Sequence, residues 1–163
     1  SDIAALFIIN HLFNWAFAGH IGALVGRFGE RRALTFEYCG LFCVFTAYAF
    51  VNDATWAACL YIADHLFFSL AIAIQTYFQK IADPADMAST ASVAFTINHV
   101  AAVIIPALFG LVWLVSPMAV FLMGSAMSVI SLLLACNIPR VPYEGNEVLF
   151  GKVPYLDGVT GGR

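Results

Sequence analysis

Charge is what this chain has least of. Lysine, arginine, aspartate and glutamate make up 10% of its 163 residues, against 62% hydrophobic; a soluble domain carries about 25% charged residues. A chain of this length buries only about 70% of the surface it exposes when unfolded. So much apolar surface, at a mean hydropathy of +0.88, cannot be hidden in water. The seven basic residues and a net charge of −3 offer no cationic face for nucleic acid, so none is expected as a partner. Cysteine is sparse and scattered: Cys39, Cys43, Cys59 and Cys136 lie within apolar segments and form neither a metal framework nor a disulfide pattern. H-E-x-x-H, G-x-S-x-G and the phosphate-binding G-x-x-x-x-G-K are all missing. The chain is accordingly not expected to be an enzyme, nor to hold a metal or another cofactor.

What the chain does have is long apolar runs. Five are expected to span a bilayer, near residues 3–26, 34–52, 54–78, 89–115 and 118–138. Each exceeds about 18 residues, enough at 1.5 Å per residue to cross roughly 30 Å of hydrocarbon. Lipid offers no hydrogen-bond partners, so the runs must be helical. The expected fold is all-α, a polytopic membrane helical bundle of five transmembrane helices over residues 1–140. Residues 141–163, rich in turn formers, read as a flexible cytoplasmic tail. Asn10, His11 and Asn14 interrupt the first run where a signal peptide would be uniformly apolar.

Charge also orients the bundle. Arg27, Arg31, Arg32, Lys80, Arg140, Lys152 and Arg163 all fall in the first connection, the third connection or the tail. With five spans these lie on one side, and the positive-inside rule assigns that side to the cytoplasm, with the C-terminus there. The expected setting is the plasma membrane, as a multi-pass protein.

Polar side chains within the spans are the candidate site. Ionisable groups at membrane depth cost roughly 2.5–3.5 kcal/mol each and usually face protein or water. Asp64 lies ten residues into the third run, near the midplane, and His65 follows it. Gln75, eleven positions on, shares its face if the helix is continuous. The first run adds Asn10, His11 and Asn14, and the fourth adds Asn98 and His99. A carboxyl–imidazole pair at this depth suits a proton relay or a cation contact; the same groups also serve as interhelical hydrogen-bond pairs. The second and fifth runs read as supports without charge at mid-depth. Stripes of small residues, Ala18/Gly22/Gly26 and Gly124/Ser128, predict close helix approach.

The connection Gly22-Ala-Leu-Val-Gly-Arg-Phe-Gly-Glu-Arg-Arg-Ala-Leu34 resembles the signature loop of the major facilitator superfamily, roughly G-x-L-a-D-R-x-G-R-K-x-x-L. Gly22, Leu24, Arg27, Gly29, Arg31 and Leu34 stand at matching places, with Arg32 beside them; Gly26 replaces the aspartate and Glu30 a basic residue. The segments Gln75-Thr-Tyr-Phe-Gln-Lys-Ile-Ala-Asp-Pro84 and Thr96–Pro106 are similar to helices ten and eleven of a bacterial subgroup. The degraded loop implies the second half of such a transporter, with the five spans as helices eight to twelve. The resemblance further implies secondary active transport of a small solute by alternating access, coupled to protons, in a bacterial inner membrane. The chain would then be a fragment, an expectation supported by its start at Ser1 and the lack of a seventh helix, with the N-terminal half of the same transporter as its partner. The alternatives are a non-transporting membrane assembly subunit and a haem-binding membrane subunit using His11, His65 and His99.

Overall fold

The computed structural model describes residues 2–143 and 145–150, with side chains described at Ile8, His11, Leu12 and Ala16, continuously from Gly19 to Tyr143, and from Gly145 to Phe150. The chain is an all-α bundle. Helix α1 covers Asp2–Phe28, α2 Glu30–Phe50, α3 Ala54–Phe68, α4 Ile72–Ile81, α5 Met87–Val115 and α6 Pro117–Cys136. A single 3-10 turn, Ser69–Ala71, joins α3 to α4, so the two make one membrane-length element, Ala54–Ile81. That element, α2, α5 and α6 are each long and apolar enough to cross a bilayer. The chain is a membrane-embedded multi-pass protein.

The helix ends follow local chemistry. Asp53 caps α3, its Oδ1 accepting from the backbone N–H of Thr55 at 2.8 Å and of Trp56 at 3.1 Å. Ser116 is the one residue between α5 and α6; its Oγ accepts from Ala119 N–H, and Pro117 occupies the first turn, where its missing donor costs nothing. Asp83 Oδ1 accepts from Ala85 N–H and sets the turn before α5, which then runs through Pro106.

Gly29 alone separates α1 from α2. It has φ 83° and ψ 150°, a region open in practice to glycine only. Its N–H donates to Val25 O at 2.9 Å and its carbonyl accepts from Ala33 N–H at 3.2 Å, so both helices end on it. The expected loop from Gly22 is therefore mostly helix. An added Cβ at Gly29 would meet nothing within 4 Å, so the whole cost of Gly29→Ala is backbone strain. It should lower stability by about 1–3 kcal/mol. Gly26→Ala, equally open but inside a helix, should be neutral or stabilising by up to about 1 kcal/mol. Thermal unfolding in detergent compares the two directly, and equal midpoints would refute the strain at Gly29.

Helix α2 is the centre of the bundle. One side packs along α6, where Gly124 lies under the Phe45 ring and Thr46 Oγ1 shares a 2.9 Å hydrogen bond with Ser125 Oγ. Another side meets α3, where Phe36 and Phe67 cross edge to face at 5.5 Å. At the Arg31/Arg32 end, Val25, Ala33, Leu34, Leu70, Ala73, Ala135 and Ile138 form the main core. At the other end Tyr48 stacks on Phe121, which Trp113 meets edge-on, and Tyr48 donates to Ala57 O. The Gly124/Ser128 stripe therefore marks a close approach. The stripe through Gly22 and Gly26 does not, because no atom comes within 4 Å of a Cβ built at either, and α1 turns Ile21 and Val25 to the core instead. Ala18 lies outside the described side chains.

The tail expected to be flexible from residue 141 is held in place through Phe150. Asn137 closes it, its Nδ2 donating to Phe150 O and its Oδ1 accepting from Phe150 N–H, while Tyr77 Oη donates to Glu147 O and pins the segment to α4.

Candidate functional site

The sharpest polar group within a span is the Asp64–His65 pair of α3. Asp64 Oδ2 lies 3.5 Å from His65 Nδ1, and both side chains are about one quarter exposed. The same nitrogen lies 2.9 Å from Tyr61 O, one turn back, and the imidazole leans on the Tyr61 ring at 4.2 Å. Adjacent residues of a helix point about 100° apart, so the pair meets only because the histidine folds back along its own helix. Across from α2, Tyr48 Oη donates to Ala57 O at 3.0 Å, two turns before Asp64 on α3. Four residues beyond His65 the α-helix tightens: Ser69 N–H donates to His65 O, Ser69 Oγ donates to Leu66 O, and the 3-10 turn begins. Such a turn within a long helix is a common place for a hinge.

The 3-10 turn also separates Gln75 from Asp64. Three residues wound at 3.0 rather than 3.6 per turn advance the face by about 60°, and Gln75 is exposed while Asp64 is half-buried. His99 and Asn98 are exposed on α5, which packs chiefly on α6 and not on α3. His99 Nδ1 lies 2.9 Å from Phe95 O, with its ring against Phe95 at 3.8 Å. His11 is exposed on α1, and the side chains of Asn10 and Asn14 lie outside the described residues. Among the described side chains, therefore, Asp64 and His65 are brought together and the α5 candidates stand apart. No group of three metal-ligating side chains occurs among the described residues.

Two acidic residues that the sequence did not single out as site residues are more deeply buried than Asp64. Glu30, the first residue of α2, is 3% exposed and its Oε1 pairs with Lys80 Nζ of α4 at 2.6 Å. Glu37 is 1% exposed, and its Oε2 has no hydrogen-bond partner among the described residues. It sits about 10 Å along α2 at 1.5 Å per residue, in a helix expected to carry no charge at mid-depth. The available signal was an isolated acid in an apolar run, between one and two turns from the arginines.

No family model, curated protein or solved structure matches this chain. The functional reading therefore rests on geometry and on charge placement. All the described basic residues gather at one end: Arg27 closes α1, Arg31 and Arg32 open α2, Lys80 meets Glu30, and Arg140 follows α6.

Proposed function

We propose that the chain supplies helices eight to twelve of a secondary active transporter of the major facilitator type, moving a small solute by alternating access with proton coupling. In this reading α1 is helix eight, α2 nine, α3 and α4 together ten, α5 eleven and α6 twelve. The observation that carries it is the Asp64–His65 pair, a carboxylate and an imidazole 3.5 Å apart in the middle third of a membrane-length element, just before its 3-10 turn. Charge at that depth is costly without a task, and proton relays use this pairing. The close packing of α2 on α6 supports their pairing as helices nine and twelve. Helix α5 supports the existence of a further partner bundle. Every residue from Ala88 to Val100 is exposed, and Ser89, Ser92, Thr96 and His99 form a polar stripe along one face. The clustered basic end faces the cytoplasm in this reading, by the positive-inside rule, and a bacterial inner membrane is the setting.

The test is solute-evoked proton movement in liposomes carrying the complete transporter and a trapped pH dye, over a panel of small solutes. Asp64→Asn should reduce that signal to below about a tenth of wild type while leaving insertion unchanged. Undiminished proton movement in the variant would remove Asp64 from the mechanism. A wild-type protein that no solute couples to protons would overturn the proposal.

A further inference from the structure

Arg31, Arg32 and Arg140 converge on one open cleft of about 610 Å³ between the start of α2 and the end of α6. Phe28, Phe36, Cys39 and Cys136 make much of the rest of its wall. Among the described residues no carboxylate lies within ion-pair distance of any of the three guanidinium groups; Glu30, their neighbour in sequence, is committed to Lys80. The cleft opens at the first turn of α2, where unsatisfied backbone N–H groups and the helix dipole also favour an anion.

A second cavity, of about 380 Å³, adjoins the first and shares Phe28, Arg32 and Phe36 with it. Its remaining lining is apolar: Leu24, Val25, Ala33 and Leu70. A cationic cleft continuous with an apolar groove, in a helix bundle that crosses a bilayer, matches an amphiphile with an anionic head and a hydrocarbon chain. We infer that this composite site holds an anionic phospholipid, its phosphate among Arg31, Arg32 and Arg140 and an acyl chain in the groove beside Val25 and Leu70. Basic recesses between membrane helices bind anionic headgroups by this chemistry, and arginine's planar fork suits phosphate oxygens better than lysine's point charge. The inference requires only that the chain is membrane-embedded and does not depend on the transport reading.

The experiment is native mass spectrometry of the full chain released from mixed phosphatidylglycerol–phosphatidylcholine nanodiscs, counting retained lipids. Wild type should retain phosphatidylglycerol in preference to phosphatidylcholine. The preference should fall roughly fivefold for each arginine replaced in Arg31→Gln, Arg32→Gln and Arg140→Gln, and should vanish in the triple variant. Arg27→Gln, at the same end but outside the cleft, should change nothing. Leu24→Trp, which fills the groove without touching the charges, should weaken retention while leaving thermal stability near wild type. Undiminished preference in the triple variant, or an equal loss with Arg27→Gln, would overturn the site. Displacement of the lipid by millimolar inorganic phosphate would show a free-anion site instead and would equally overturn it.

Discussion

Gly40→Leu should prevent the bundle from assembling. The α2 backbone at Gly40 lies directly against the Phe67 ring of α3, and a Cβ built there would overlap three ring atoms. Turning the ring aside would break its edge-to-face contact with Phe36. Even Gly40→Ala must either turn the Phe67 ring or push α3 away from α2. Overpacking of this kind costs about 1–3 kcal/mol, of which improved helix propensity returns up to about 1. Leucine adds three more carbons to the same overlap and should exceed that range, showing as loss of the folded species in detergent size-exclusion chromatography. Gly40→Leu combined with Phe67→Ala should recover folded protein, since removing the ring opens the space that leucine needs. A Gly40→Ala variant more stable than wild type would show that the helices separate freely there.

Lys80→Met should produce the second large loss, and Glu30→Gln should partly reverse it. Glu30 is nearly inaccessible while Lys80 is half exposed. Removing the lysine strands a carboxylate that water cannot reach, whereas removing the glutamate leaves an ammonium that can extend to solvent. The single change Lys80→Met is expected to cost about 2–3 kcal/mol, below the range for fully buried pairs because one partner is already half hydrated. Glu30→Gln alone should cost about 1 kcal/mol, and the double variant should be more stable than Lys80→Met. Such a non-additive cycle, read from thermal unfolding in detergent, isolates the pair. Strict additivity would mean that the 2.6 Å contact contributes nothing. Because the carboxylate is shielded from solvent, the coupling should persist at high salt.

The sequence was most readable where the bilayer dictates the answer. Runs near 34–52, 89–115 and 118–138 became Glu30–Phe50, Met87–Val115 and Pro117–Cys136, because apolar length and capping residues such as Ser116 act locally. The expected third span, 54–78, runs to Ile81 but contains a turn that composition does not announce, at Ser69, whose Oγ bonds back to Leu66 O. The 3-10 turn shifts Gln75 by about 60° from the face it would share with Asp64 on a continuous helix. Partners across helices were less legible. Nothing local marks Glu30 as the counterion of Lys80, fifty residues away, or Tyr77 as the anchor of the tail. Gly22 and Gly26 read as a packing stripe because spacing cannot say which face of α1 meets a neighbour; the face that packs carries Ile21 and Val25. Glu37 was passed over for the same reason: its burial comes from the central position of α2, a property of the assembly and not of the segment.

The single residue Ser116 between α5 and α6, and the three residues Val51–Asp53 between α2 and α3, bear on how the protein is made. Both connections lie at the end away from the arginines and carry no basic side chain. A tip this short gives neither helix room to wait in the aqueous phase while its neighbour threads. It also presents almost no charge to drag through the hydrocarbon; Asp53 is the one exception, and its carboxylate is already bonded to the backbone of α3. In the proposed orientation, with the arginine end cytoplasmic, α2 with α3 and α5 with α6 would enter the bilayer as hairpins.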